Sequence, residues 1–369
     1  PEVRDAMLPF LNDLWGNPSS MHAFGGRVMR HVEEARDKIA ALIHADPSEI
    51  IFTSCGTESN NAAIYGVAEI LGPGAKLITS RVEHPAVLGP CRHFREHGYT
   101  VVELPVDGVG QVDLAALREA LFGGHSLVSL MWANNETGTI FPIAEIAALV
   151  KSVGGIFHTD AVQAVGKLPI DVSRIPLDLL SLSGHKIHAP KGIGALYVRR
   201  GTRLKTYMIG GHQENGRRGG TENVPYIVGL GKAVELAAAS LAEETTRVAA
   251  LRDRLEAGLL ATCPDARVNG DTRNRLPNTL NISFEFIEGE AILYHMSDLG
   301  ICASSGSACS SGSLEPSHVI RAMGVPFTAV HGSIRFSLSR YTTAADIDTV
   351  LERLPGIVTK LRAMSPFVK

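Results

Sequence analysis

The chain has 369 residues, 45% hydrophobic and 20% charged, with 35 basic against 38 acidic side chains and a formal charge of −3. That length suits two domains with ordinary cores, and the near balance of charge gives no support for a nucleic-acid or membrane-surface partner. Five scattered cysteines, Cys55, Cys91, Cys263, Cys302 and Cys309, include no C-x-x-C pair, so neither a zinc site nor a redox couple is indicated and a reduced, cytoplasmic compartment is expected.

No apolar run approaches the ~18 residues that a membrane helix requires, and no signal peptide is visible. From residue 49 the pattern alternates. EIIFTS reads as a buried strand and TESNNAAIYGVAEIL as a helix; AKLITS is a strand and HPAVLGPCRHFREHG a helix. TVVELPV, DLAALREALF, HSLVSLMWA and IAEIAALVKSVG continue the alternation, and GIFHTDA, LDLLSLS and GALYVRR are further strands. Short apolar strands between amphipathic helices predict an α/β fold, with a mostly parallel sheet covered on both faces.

Near residue 223 the pattern changes to a long helical stretch, NVPYIVGLGKAVELAAASLAEETTRVAALRDRLEAGLL, expected to connect domains and to break near its middle. Beyond it lie the strand NTLNISFE, the helix GEAILYHMSDLG, the loop ASSGSACSSGS, a helix through HVIRAM, the strand SIRFSLS and a helix from TAADIDTVLERL. This predicts a smaller α+β domain, with boundaries at 1–230 and 231–369 and the extreme N-terminus packing with the smaller domain.

Ligands of α/β sheets collect at the carboxyl ends of the strands. The first strand runs into Ser54-Cys55-Gly56-Thr57-Glu58 at a helix start, where free backbone N–H groups suit a phosphate; Thr57 serves equally well as a plain helix cap. GIFHTDA places Asp160 at its carboxyl end, with Gln163 three residues on. LDLLSLS runs into Ser183-Gly184-His185-Lys186. A lysine just past a buried strand is partly desolvated, which frees its amine to attack a carbonyl. Lys191 lies close by, but in an ordinary Pro-Lys-Gly turn. A carboxylate for a pyridine nitrogen, a lysine for an aldehyde and helix-start donors for a phosphate form one set, that of pyridoxal 5′-phosphate. His93 and His97 share a helix face but have no third ligand, so a solvated face is expected rather than a metal. Cys55, Cys91, Cys263 and Cys302 read as packing residues.

HTDAVQAVGKLPID, SLSGHKIHAPKGIGALYVRRG, GGHQENGRRGGTEN, ASSGSACSSGSLEPSHVIRAMG and IRFSLSRYTT together resemble the cysteine desulfurases. FTSCGTESNNAAI, EHPAV, MWANNETGTIFPI and RLPNTLNISFEFIEGEAIL are similar to the nitrogen-fixation (NifS-like) branch, and the resemblance covers essentially the whole chain. It implies a fold-type-I pyridoxal-phosphate transferase with a seven-stranded sheet. It also implies a homodimer that converts L-cysteine to L-alanine and passes sulfur, held as a persulfide, to an iron–sulfur scaffold or other acceptor protein. By position, the resemblance makes Lys186 the lysine that binds the cofactor aldehyde, Asp160 the partner of the ring nitrogen, and Gln163 the donor to the ring's phenolic oxygen. His84 becomes the residue stacked on the ring, and Gly56, Thr57, Ser183, His185 and, from the other subunit, Thr221 bind the phosphate. Asn135 and Arg335 hold the substrate, Arg335 taking its carboxylate bidentately, and Cys309 is the thiol that takes the sulfur.

Glycine and serine around Cys309 allow that thiol to reach a substrate and then an acceptor. Against the family pattern, the chain begins inside the usual N-terminal segment, ends sooner than many relatives, and carries Asn215 where an arginine is common. Within the same fold, a selenocysteine lyase, an aminotransferase in which Cys309 is dispensable, and a catalytically silent scaffold stay open.

Overall fold

The computed structural model describes residues 1–305 and 315–366. Cys309 lies outside the described residues. The chain forms two compact units. The first comprises Pro1–Leu104, Leu114–Trp132 and Pro142–Leu241; the second comprises Pro105–Asp113, Ala133–Phe141 and Ala242–Lys369.

The first unit opens with two helices, α1 (Glu2–Asn12) and α2 (Ala23–Ile43), then alternates strand and helix. The strands are β1 (Ile50–Thr53), β2 (Lys76–Ser80), β3 (Thr100–Leu104), β4 (Ser126–Met131), β5 (Ile156–Asp160), β6 (Leu179–Ser183) and β7 (Gly194–Val198). Between them run α3 (Gly56–Leu71), α4 (Pro85–Glu96), α5 (Leu114–Ala120) and α6 (Ile143–Ser152), and α7 (Val224–Glu243) follows. The sheet order is β1-β7-β6-β5-β4-β2-β3. β7 is antiparallel to both its neighbours and the other pairings are parallel.

Strands β4, β6 and β7 are buried at every residue, as expected where helices cover both faces of a parallel sheet. One side of the core joins Ile51, Leu77, Leu127, Leu179 and Leu196 to Ile64, Val67 and Phe94 of α3 and α4. All seven strands expected of the large sheet are present. The N-terminus departs from expectation. Residues Pro1–Leu104 belong to the first unit, and Met7 of α1 packs so closely on α7 that a Cβ at Gly229 would stand 2.8 Å from its sulfur.

α7 continues through a π-helical turn, Glu244–Val248, into α8 (Ala249–Thr262), so the stretch stays helical throughout, and the break expected near its middle is only a local change of helix type. By length and composition Val224–Thr262 is apolar enough to cross a membrane, which corrects the expectation that no such run exists. Its α7 portion is nevertheless a core helix: Ile227, Leu230, Ala233 and Val234 are buried, and Gly231 is pressed against Ala35 of α2.

The second unit contains α8, β8 (Ala266–Val268), β9 (Thr279–Phe284), α9 (Gly289–Ser297), α10 (His318–Ala322), α11 (Phe327–Val330), β10 (Ser333–Ser337) and α12 (Ala344–Ala363). Its three-stranded antiparallel sheet has the order β10-β9-β8. Leu280, Ile282 and Phe284 of β9 pack with Leu255 and Leu259 of α8 and with Leu354 and Val358 of α12. This is the amphipathic period of two helices laid on one face of a sheet.

Candidate active site

Two neighbouring strands of the first unit, β5 and β6, end in polar side chains. Asp160 closes β5 and is buried; its Oδ2 accepts from Asn60 Nδ2 at 2.6 Å and its Oδ1 from the Val162 N–H at 3.0 Å. Burial pushes the Asp160 carboxyl up, and these two donors and the charges of His84 and Lys186 oppose that push. A carboxylate so placed is completed by a protonated heterocycle. The Asn60 Oδ1 is also buried and has no hydrogen-bond partner among the described residues.

Strand β6 ends at the buried Ser183 and passes directly into a 3₁₀ turn, Gly184–Ile187, that carries Lys186. The turn closes on His188 in the left-handed region (φ 67°). Lys186 is half-buried and Lys191 exposed, the contrast expected of the two lysines. The Lys186 carbonyl accepts from the buried Lys167 Nζ at 3.3 Å, which fixes the turn from below. Burial, then the charges of Lys186, Lys191, Lys167 and His84, holds the His185 imidazole below its usual range.

Helix α3 begins beside β6. A Cβ on Gly56 would stand 2.9 Å from Val162 Cγ2 and 3.2 Å from Ser183 Cβ, so only glycine lets the helix start this close. The helix cap is Cys55, not Thr57: Cys55 Sγ accepts from the Glu58 N–H at 3.5 Å. Cys55 is thus more than the packing residue expected, and Thr57, in the first turn, is exposed and spared the capping role. The first N–H groups of a helix have no intrahelical partner, and with Ser183 packed against this end of α3 they suit an anion. His84 caps α4, its Nδ1 accepting from the Ala86 N–H at 3.1 Å. Gln163 is half-buried on the turn after β5.

Thr221 is exposed at the end of a loop held by two ion pairs. Glu214 is buried, takes Arg36 bidentately at 2.7 and 3.0 Å, and accepts from the Phe52 N–H at 3.0 Å. Arg218 reaches Glu58 at 2.9 and 3.2 Å. Between these clamps Glu214 (φ 49°) and Asn215 (φ 56°) are left-handed. Two consecutive non-glycine residues there cost roughly 1–2 kcal/mol each, offset by the buried pairs. Asparagine tolerates that conformation better than most residues, a local reason for Asn215.

Sequence reading missed the buried framework beneath these groups. His158, two residues before Asp160, is fully buried between Ser129 Oγ (2.8 Å) and Ser181 Oγ (2.9 Å), joining β4, β5 and β6 through side chains. Burial pushes its pKa down to about 3. Glu83, beside His84, is fully buried; its Oε1 accepts from Ser80 Oγ at 2.7 Å and the Met131 N–H at 3.0 Å.

The second unit holds Asn135 and Arg335 together. Residues 133–140 form a hairpin bridged at Ala133 and Ile140, with Asn134 Oδ1 accepting from the N–H groups of Glu136 and Thr137 at 2.9 and 3.0 Å. Arg335 of β10 donates from Nη1 to the Asn135 carbonyl at 2.9 Å. Asn135 Oδ1 is buried without a hydrogen-bond partner among the described residues, an acceptor left for a ligand's N–H. Of the other cysteines, Cys91 and Cys263 are buried as expected, whereas Cys302 is exposed. Among the described residues no cluster of histidine, cysteine or carboxylates could hold a metal; His93 of α4 and His97, the residue that caps its C-terminus, are exposed.

The class-V aminotransferase family matches residues 1–350 of this chain. The chain belongs to that family of pyridoxal-phosphate-dependent enzymes. It is 60% identical over 367 residues to a cysteine desulfurase of Trichormus azollae, covering 100% of this chain and 92% of that one. It is 56% identical over 367 residues to the cysteine desulfurase NifS of Azotobacter vinelandii, covering 99% and 91%. A solved NifS-like protein matches with a TM-score of 0.91 at 37% identity, covering 97% of this chain and 96% of that one. The seven-stranded, mostly parallel sheet is that of a fold-type-I pyridoxal-phosphate enzyme. The residues present fit this cofactor: a buried carboxylate without a basic partner among its hydrogen bonds, an open helix start packed on Ser183, and a half-buried lysine one turn beyond.

Proposed function

We propose that this enzyme takes sulfur from L-cysteine, releases L-alanine, and carries the sulfur as a persulfide on Cys309 to a protein acceptor that builds iron–sulfur clusters, with nitrogenase as the destination. The observation that carries the reading is the buried Asp160 carboxyl at the end of β5, under the charges of His84 and Lys186, in a chain 60% identical to a cysteine desulfurase.

Asp160 would hold the ring nitrogen, Gln163 the phenolic oxygen, and Lys186 the aldehyde carbon. The first turn of α3 with Gly56, Thr57, Ser183 and His185 would hold the phosphate. When bound, pyridoxal phosphate supplies an electron sink for bonds at the carbons of an amino acid. His84 spends Nδ1 as an acceptor for the Ala86 N–H, so its neutral form carries its proton on Nε2, where a proton can be handed on. Arg335 and Asn135 would take the substrate's carboxylate and amine side.

The Cys309 thiolate attacks the substrate sulfur. A sulfur–sulfur bond forms, the Cβ–S bond breaks, and its electron pair stays with Cβ, which then takes a proton. The balance is enzyme thiol plus L-cysteine to enzyme persulfide plus L-alanine. The exposed Thr221, on a loop clamped by Arg36–Glu214 and Glu58–Arg218, supports a homodimer in which it serves the other copy's phosphate. A cytoplasmic location follows from thiol chemistry that needs reduced cysteine.

The test is L-alanine release from L-cysteine by the holoenzyme and by Cys309→Ala. The variant should keep its visible cofactor absorption and lose about a hundredfold or more of turnover, as removal of an attacking nucleophile does. Full turnover by the variant removes Cys309 from the reaction.

A further inference from the structure

The hairpin that carries Asn135 is tied to the start of α10 by a hydrogen bond that the reading above does not use. Glu136, the next residue, is only 4% exposed, and Ser317, 5% exposed, donates from Oγ to its Oε2 at 2.5 Å. Ser317 is also the cap of α10, its Oγ accepting from the N–H groups of Val319 (3.1 Å) and Ile320 (3.4 Å). A hydroxyl has one proton and two acceptor sites, so this one is fully used. Glu136 is fixed on its backbone too: its N–H goes to Asn134 Oδ1 at 2.9 Å and its carbonyl accepts from Asn281 Nδ2 at 3.2 Å. Asn281 belongs to the central strand β9, where Asn269 Nδ2 (2.8 Å) and Ser333 Oγ (3.1 Å) donate to its Oδ1. Burial pushes the Glu136 carboxyl up; Ser317 and the charges of His318 and Arg335 pull the other way. A carboxylic acid buried this deeply costs stability unless its bonds are specific.

The Arg335 side has a matching connection. Its backbone N–H donates to the Ser304 carbonyl at 2.6 Å, and the Ser304 N–H donates back to the Arg335 carbonyl at 3.1 Å. Ser304 precedes the Cys309 segment and Ser317 follows it. One is bonded to the residue read as holding the substrate carboxylate, the other to the residue beside Asn135. We propose that Glu136 and Ser317 are positioning residues for sulfur transfer. Their hydrogen bond, with the Ser304–Arg335 bridge, holds Ser317 and Ser304, described residues on either side of the Cys309 segment, in the frame of the groups read as holding the substrate. The inference rests on the reading of Cys309 as the sulfur acceptor. Its physical basis is that attack on a bound atom is steeply sensitive to placement, a misplacement of about 1 Å costing on the order of a hundredfold.

The test uses the holoenzyme and three variants, Glu136→Ala, Ser317→Ala and Ser317→Thr, with two readouts. One is the single-turnover rate at which L-cysteine adds sulfur to the Cys309 peptide, by quenched mass spectrometry. The other is the affinity for L-alanine, from its perturbation of the visible absorption. Both alanine variants should slow sulfur addition about 10- to 100-fold while L-alanine affinity stays within about threefold. Ser317→Thr, which keeps the hydroxyl and the cap, should recover a rate within about threefold of wild type. Wild-type rates in both alanine variants overturn the inference. So does a loss that falls in step with L-alanine affinity and is not rescued by threonine, the signature of a purely structural strut. Wild type that places no sulfur on Cys309 overturns the underlying reading instead, so the two failures are distinguishable.

Discussion

The two units carry their candidate site residues in different ways. In the first, Asp160 and Ser183 end neighbouring parallel strands, Lys186 sits on the turn that follows, and a buried layer of His158, Ser129, Ser181, Glu83 and Asn60 ties strands and helix together beneath them. In the second, Asn135 sits on a hairpin and Arg335 on the outer strand of a three-stranded sheet, joined by a hydrogen bond to a backbone carbonyl. The first arrangement suits a charge that must stay put through the reaction, because a carboxylate under a ring nitrogen is useful only if it cannot turn away. The second suits groups that bind and release a small molecule at each turnover.

The contrast breaks hardest at Lys186. Lys186→Ala should abolish borohydride trapping of cofactor on the chain and lower turnover about a thousandfold or more. Cofactor still trapped on that variant would move the role to another lysine, with Lys191 the first to examine. Next in size is the buried layer. His158→Ala removes a side chain bonded to two buried hydroxyls and leaves a cavity, at a cost of about 2–4 kcal/mol, read as a shift in the urea midpoint. An unchanged midpoint would mean that the three strands are held without it.

The smallest expected effect is in pH dependence, where His158 and Glu83 act oppositely. Burial lowers the pKa of His158 from 6.5 to about 3 in the folded protein, so its contribution is complete above pH 6.5 and is lost as pH falls toward 3. Burial, with a minor push from Asp160, raises the pKa of Glu83 from 4.5 to about 8, and the Ser80 and Met131 donors only partly resist. Its contribution is complete below pH 4.5 and is lost as pH rises toward 8. Glu83→Gln should flatten the decline in melting temperature between pH 5 and 8. A wild-type slope retained in that variant would show that Glu83 is already ionised in the folded state.

Much of the first unit is legible in sequence, because alternating apolar strands and amphipathic helices carry their periods locally. Asp160 and Lys186 stand out because each follows a run of buried residues. The framework is another matter. Ser129, His158 and Ser181 lie in three separate strands, and Glu136 meets Ser317 across 181 positions. No local pattern marks a histidine inside a strand as the partner of two distant hydroxyls. Cys55 reads as filler because a small apolar residue would serve at its position, and nothing local marks it as a cap; the left-handed pair Glu214 and Asn215 carries no glycine to announce it until Gly216.

The central claim is that a rigid strand-end site prepares the substrate and a separate thiol collects its sulfur. The most direct measurement is peptide mass spectrometry of the holoenzyme after one equivalent of L-cysteine, with L-alanine counted in the same sample. The account predicts one added sulfur on the peptide containing Cys309 and a matching amount of L-alanine. Sulfur found instead on the exposed Cys302 peptide, or L-alanine formed with no sulfur on any cysteine, would contradict it.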